Sequence, residues 1–128
     1  MINTVQLQFS YIKRTLVFRF DAGTSRGVLK TRDVFWIKAF DPKNPEIIGW
    51  GEAAPLVKLS PDYCEDFEEI LAKTLLKLNE ESWETSQESL FFRLKNLIPF
   101  SLPSIRFGLE TAILDWLNGG KRRILAND

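Results

Sequence analysis

The chain has 128 residues, with 17 Lys and Arg balanced by 17 Asp and Glu. This length predicts a single domain with a sizeable core, and the zero net charge argues against nucleic acid as the main partner, because phosphate binding requires clustered positive charge. The sequence has no His and one Cys, which excludes His-based triads, His-based zinc sites and an internal disulfide. No apolar run reaches about 18 residues and no signal peptide precedes the first strand, so we expect a cytoplasmic protein without a membrane partner.

The first half of the sequence has the alternating pattern of strands. Apolar and polar residues alternate over Val5–Tyr11 and again from Leu16 to Phe20, which is typical of half-buried strands. The break at Lys13 and Arg14 predicts either one long strand with a bulge or two strands, and we favour the bulged strand. A loop over Asp21–Arg32 is expected next, because the segment is too long for a tight hairpin turn.

Two further strands are predicted after this loop. Val34–Phe40 is rich in aromatic and β-branched residues. The prolines and the Asn of Asp41–Glu46 indicate a turn, and Ile47–Pro55 is predicted as the third strand of an antiparallel meander.

The second half changes to a helical period. The first predicted helix has Ser60 as its N-cap, Pro61 in its first turn and one apolar stripe, which consists of Tyr63, Phe67, Ile70, Leu71, Leu75 and Leu78. The order of elements predicts an α+β fold in which a three-stranded antiparallel meander is followed by a three-helix segment.

Capping signals mark the other two helices. The second helix is predicted to start at a capping box over Thr85–Glu88 and to end before Pro99. The third is predicted from Pro103 to Asn118, with Ser101 or Leu102 as its cap and a left-handed stop at the glycines that follow. Gly108 inside this helix predicts close packing against a neighbouring element.

The first candidate functional segment is "AGTSRG", residues 22–27. Thr24 and Ser25 carry hydroxyl groups, and the guanidinium of Arg26 suits a carboxylate. These residues predict either a flap that contacts an anion or a solvated connection whose hydroxyl groups bond to their own backbone.

The second candidate is "GWGEAAPL", residues 49–56, where small residues allow a ligand or another backbone to come close. Glu52 is then either a functional carboxylate or a solvated residue at a bulge. In the last predicted helix, Glu110 is expected to pair with Arg106. No set of residues combines a nucleophile, a base and an orienting group, and no pair of carboxylates has the spacing of a metal site.

Taken in order, these stretches resemble the N-terminal capping domain of the enolase superfamily. "PSIRFGLETAILDWLNGG" is similar to the last capping helix of the muconate-lactonising-enzyme branch, and "AGTSRGVL" with "GEAAPLVKLSPD" is most similar to the o-succinylbenzoate synthases. The resemblance covers roughly residues 5–120. It implies a capping domain over residues 1–120, while residues 121–128 start a linker to a C-terminal (β/α) barrel that is absent from this chain.

The resemblance also implies the chemistry of the complete enzyme. In this family, carboxylates of the barrel bind Mg²⁺ and lysines of the barrel abstract the proton α to a carboxylate. The implied activity is that of a lyase, which dehydrates a cyclohexadiene carboxylate to o-succinylbenzoate in menaquinone biosynthesis. Because the barrel has no counterpart here, we predict no catalytic and no metal-binding residue in this chain, and we expect it to be inactive alone.

The resemblance implies that this chain covers the binding site of a small carboxylate substrate. Residues 24–27 match the first specificity loop, residues 53–56 match the second capping loop, and Glu52 matches an acidic position with a structural or domain-bridging role. The predicted substrate-binding residues are Thr24, Ser25, Arg26, Gly27, Pro55 and Leu56.

Alternatives remain open at this point. A dipeptide epimerase or an N-acylamino-acid racemase would share the capping domain, and a free-standing α+β binding module would have no barrel. If the chain is a capping domain, its partner is its own barrel, and the face that meets the barrel is expected to be apolar and to favour self-association.

Overall fold

The computed structural model describes residues 4–21, 27–54 and 65–120, and for residues 18–21 and 27–32 it describes the backbone alone. The described part of the chain contains five strands and three helices in an α+β arrangement, as predicted. In chain order these are β1 (Thr4–Val5), β2 (Gln8–Asp21), β3 (Gly27–Phe40), β4 (Ile48–Ala53), α1 (Phe67–Leu78), β5 (Trp83–Glu84), α2 (Gln87–Leu97) and α3 (Pro103–Leu117).

The main sheet is an antiparallel meander with the strand order β2–β3–β4. Strand β2 pairs with β3 in one unbroken register, from Gln8 opposite Phe40 to Asp21 opposite Gly27. The prediction of one long strand is therefore confirmed, but the predicted bulge is wrong, because every residue of β2 has its own partner. The short strands β1 and β5 form a separate antiparallel pair.

The predicted loop over Asp21–Arg32 is wrong for most of its length. Asp21 is the last residue of β2 and Gly27 the first residue of β3, so five residues, 22–26, connect the strands. The polar residues that suggested a loop lie in a ribbon whose described side chains, from Ile12 to Val17, are exposed to solvent. An exposed antiparallel pair tolerates charged side chains, because the ladder of backbone hydrogen bonds holds it together.

The three helices cover one face of the main sheet. Residues with odd numbers on the three strands point to this face, and Phe9, Ile37 and Ala53 among them are buried with the inner side chains of the helices. Helix α1 packs against β2, and α3 packs against β3 and β4. One continuous hydrophobic core results.

Glycines allow α3 to lie directly on β4. A Cβ atom on Gly51 would overlap the carbonyl oxygen of Gly108, and one on Gly49 would overlap the carbonyl oxygen of Ala112. A Cβ on Gly108 would lie 3.0 Å from Cδ1 of Ile37. The prediction that Gly108 permits close packing is confirmed, and the small residues of β4 accommodate another backbone.

The helix ends agree only in part with the predictions. Helix α1 begins at Phe67 after the N-cap Asp66, while the predicted cap Ser60 and Pro61 lie outside the described residues. Helix α2 is capped by Ser86, whose Oγ accepts a hydrogen bond from the backbone N–H of Ser89. The capping box that began at Thr85 is therefore out of register by one residue, since Ser86 has the extended backbone of an N-cap.

The predicted ends of α2 and α3 are confirmed. Helix α2 stops at Leu97, before Pro99. Helix α3 begins at Pro103, after the N-cap Leu102. Gly119 and Gly120 follow its last turn with φ values of 87° and 71°, which is the left-handed stop expected for a glycine pair.

Candidate functional site

Both candidate loops are attached at the same end of the sheet. Because β4 runs antiparallel to β3, its last residue, Ala53, lies opposite Phe35, on the side from which β3 enters the sheet. Residues 55–64 follow β4 at this end, and residues 22–26 join β2 to β3 beyond it. The two segments that the sequence analysis singled out therefore depart from the same end of the sheet, the first from the far end of the β2–β3 pair and the second from the end of β4.

The first of these segments is carried on a long two-stranded extension, which we call the arm. The arm consists of the eight residue pairs from Arg14 opposite Val34 to Asp21 opposite Gly27, all beyond the last pair between β3 and β4. At about 3.4 Å per residue, the arm is about 27 Å long. Its described residues expose apolar surface, and Val17 retains 65% of its accessible area.

A polar network joins the base of the arm to α1. Glu68, in the first turn of α1, accepts a hydrogen bond on Oε2 from the hydroxyl group of Tyr11 at 2.9 Å. Its other oxygen, Oε1, lies 3.2 Å from the ammonium group of Lys13. Lys13 also lies 3.8 Å from Asp33, which accepts a hydrogen bond from Thr15 at 2.8 Å. We call these five residues the arm-base network.

The network shifts the pKa values of two of its members. Burial, followed by the hydrogen bond to Glu68, raises the pKa of Tyr11 above its ordinary value. The interaction with Glu68, followed by the charge of Asp33, raises the pKa of Lys13. Both groups therefore keep their protons at neutral pH and can hold the carboxylate of Glu68 between them.

A cleft of about 310 Å³ lies beside the start of the second candidate loop. Phe107 of α3 forms one wall and exposes 61% of its area. Its position next to Ala54 places apolar surface at the end of the sheet where the loops are attached. The other residues that line this cleft are Glu52, Pro103 and Ser104.

Comparisons with known proteins agree with this architecture. No family model matches the chain. An o-succinylbenzoate synthase from Desulfotalea psychrophila is 26% identical to it, over 95% of this chain and 38% of the relative. The crystal structure of MenC from the same organism matches with a TM-score of 0.66 and 21% identity, over 96% of this chain and 38% of that chain. A mandelate racemase/muconate lactonizing enzyme-like protein from Sorangium cellulosum matches with a TM-score of 0.60 and 18% identity, over 89% of this chain and 30% of that chain.

The fold is that of an enolase-superfamily N-terminal domain. The resemblance inferred from the three sequence stretches is thus confirmed. The chain spans 38% of the length of the synthase that it matches, and its described residues form no (β/α) barrel.

Most of the predicted substrate-binding residues lie outside the described residues. This holds for Thr24, Ser25 and Arg26 of the first loop and for Pro55 and Leu56 of the second. Gly27 is described through its backbone and is the first residue of β3, opposite Asp21.

Two expectations about single carboxylates have different outcomes. The ion pairs of the described residues do not include Arg106 with Glu110, so the predicted pair is wrong. Glu52 is exposed at the cleft beside Ala54, which leaves both of its predicted roles untested. A buried carboxylate that the sequence analysis did not single out, Asp115, accepts a hydrogen bond from the backbone N–H of Trp50 at 2.9 Å.

The described residues do not fit a magnesium site. Within the ranges that the structure covers, no three His, Cys, Asp or Glu residues are grouped closely enough to hold a metal ion. The acidic residues of the arm-base network are engaged with Tyr11, Lys13 and Thr15 instead. No described helix is both long and apolar enough to cross a bilayer.

Another cleft lies at the opposite end of the sheet. It has a volume of about 700 Å³ and is lined mainly by polar residues of β1, the start of β2 and the turn after β3. Thr4, Asp41 and Lys43 are among them, and Asp41 already accepts a hydrogen bond from the backbone N–H of Lys43. The end that carries the two loops, and not this cleft, is therefore our candidate site.

Proposed function

We propose that this chain is the substrate-covering, N-terminal part of an o-succinylbenzoate synthase-like enzyme. The observation that supports it most is the attachment of both candidate loops at one end of the sheet, together with the similarity to an o-succinylbenzoate synthase over 95% of the chain. In this proposal the reactive groups and Mg²⁺ belong to a C-terminal barrel of the complete protein. The chain itself supplies recognition and exclusion of water.

Each loop has a separate part in the proposed cover. Thr24, Ser25, Arg26 and Gly27 contact the end of the substrate that faces away from the metal, where the guanidinium of Arg26 pairs with a carboxylate. Pro55 and Leu56 add apolar surface. A flexible cover requires donors and shape rather than acid–base groups, which fits the residue types of both loops.

The exposed apolar residues support a second domain as the partner. Phe107 and Val17 lie on elements at the loop end of the sheet and are each more than half exposed. A contiguous apolar patch formed by such side chains would mark a site that another domain or protein covers. The proposal places the barrel of the same protein there and expects the chain to self-associate when it is expressed alone.

The test is a comparison of activities of the complete natural polypeptide that carries this chain. We expect Mg²⁺-dependent dehydration of the cyclohexadiene carboxylate to o-succinylbenzoate, and no turnover by residues 1–128 alone. If the complete polypeptide instead epimerises dipeptides or racemises N-acylamino acids without dehydration, the proposed activity is wrong and one of these two activities takes its place. A native gene product with the mass of this chain would instead favour a free-standing binding module.

A further inference from the structure

We propose that Glu68 is a positioning residue, which together with Lys13 fixes the direction of the arm relative to α1. The inference rests on the function proposed above, because the arm is the element that leads to the first specificity loop. It assigns a role to a side chain that lies outside both loops.

The contact geometry shows how one carboxylate can hold the arm. Tyr11 and Lys13 are two residues apart on β2 and therefore point to the same face of the strand. Each of them binds a different oxygen of Glu68, at 2.9 Å and 3.2 Å. A carboxylate held at two points is restrained in orientation as well as in distance, so the contact resists twisting of β2 against the helix.

The arm extends beyond the third strand of the sheet. Among the described residues, the sheet has two strands beyond the pair of Phe35 with Ala53; Val34, in the first pair of the arm, is still buried, but isolated two-stranded ribbons are marginally stable. For an arm of about 27 Å, a rotation of about 10° at the base moves the tip by about 5 Å. Misplacement by about 1 Å can already reduce catalysis substantially.

The position of Glu68 in the chain adds a link to the second loop. Helix α1 is the first described element after residues 55–64, and Glu68 lies in its first turn. The same carboxylate therefore contacts the strand that leads to the first loop and belongs to the helix that follows the second. The network extends across the arm, since Lys13 reaches Asp33 of β3.

The matched control is the neighbouring residue Glu69. It pairs with Lys73 on the exposed side of the same helix at 3.0 Å, and this pair does not touch the arm. Glu68→Gln and Glu69→Gln remove the same charge from the same helical turn. Lys13→Met removes the other partner, and Lys13→Arg retains the positive charge.

The test measures hydrogen exchange and steady-state kinetics in the complete natural polypeptide. For Glu68→Gln and Lys13→Met we expect about two- to five-fold faster exchange of the arm amides, in residues 14–21 and 27–34, as for loss of a partly exposed ion-pair network. We expect kcat/KM to fall, because a misdirected arm weakens the contacts made in the transition state. Lys13→Arg should restore both values, and Glu69→Gln should change neither.

The two readouts separate this inference from the proposed function. Unchanged exchange in the arm of Glu68→Gln and Lys13→Met overturns the positioning role. So does an equal effect of Glu69→Gln, since the effect would then come from the charge of α1. Faster exchange with an unchanged kcat/KM supports the restraint of the arm and overturns the proposed part of residues 22–26 in covering the substrate.

Discussion

The backbone N–H of Trp50 donates a hydrogen bond of 2.9 Å to the carboxylate of Asp115, which is fully buried. This bond joins the middle of β4 to the last turns of α3. It is accompanied by the close backbone approach at Gly49 and Gly51. The junction of β4 and α3 is therefore the rigid support from which the second candidate loop departs.

We predict that Asp115→Ala destabilises the protein by about 3 kcal/mol, because it leaves the N–H of Trp50 buried without its acceptor. Asp115→Asn keeps an acceptor oxygen and should cost less, about 1 kcal/mol. Urea denaturation measures both values. A loss below about 0.5 kcal/mol for Asp115→Ala would show that the bond contributes little to stability.

The glycines of the junction should differ sharply in their tolerance of a methyl group. Gly51→Ala forces a methyl group against the backbone of α3, and we expect a loss of about 3 kcal/mol or more. At Gly108 a Cβ would lie 3.0 Å from Cδ1 of Ile37 and 3.1 Å from the backbone of Glu52, contacts much less close than those at Gly51, and Ala favours the helix by about 1 kcal/mol. Gly108→Ala should therefore lie within about 1 kcal/mol of the parent protein.

Thermal or urea unfolding of the two alanine variants tests this order. Equal destabilisation by Gly51→Ala and Gly108→Ala would contradict the packing described here. So would a Gly51→Ala variant with parent stability, since it requires α3 to move away from β4 without loss.

These residues also show what the sequence can and cannot predict. The bounds of α3 were predictable because Pro103 and the glycines after Asn118 are local signals. The length of the arm was not, because β2 supplies the hydrogen-bond partners of residues 27–33, and pairing overrides the loop-like composition of that segment.

For the candidate site, too, the sequence indicates some features and not others. Its two loops stay predictions, made from composition and from the resemblance, which are properties of short stretches. The contact of Tyr11 with Glu68 joins residues 57 positions apart, and no local pattern marks such a pair. The role of Asp115 was missed because a buried carboxylate inside an amphipathic helix looks like a solvated one until its partner on β4 is known.

High pH should loosen the arm-base network. The raised pKa values of Tyr11 and Lys13 mean that the folded state holds both protons more tightly than the unfolded state. Their contribution to stability is therefore complete below the ordinary pKa values, about 10, and is lost as pH rises through the raised values.

Urea unfolding between pH 9 and about pH 11 measures this loss. We expect a steeper decline in the parent protein than in a Tyr11→Phe/Lys13→Met variant, which lacks both groups. Lys73→Met is the control, since it removes a lysine outside the network. A parallel decline of all three proteins would contradict the assignment.

The most direct test of the account is the steady-state kinetics of Arg26→Ala in the complete natural polypeptide, with the exposed arm residue Arg14→Ala as its control. The guanidinium of Arg26 is expected to bind the substrate carboxylate equally in the ground and transition states. We therefore predict a KM raised about ten-fold or more, with kcat retained, while Arg14→Ala changes neither value. Parent values of KM and kcat for Arg26→Ala would contradict the proposed role of this loop as the cover of the substrate site.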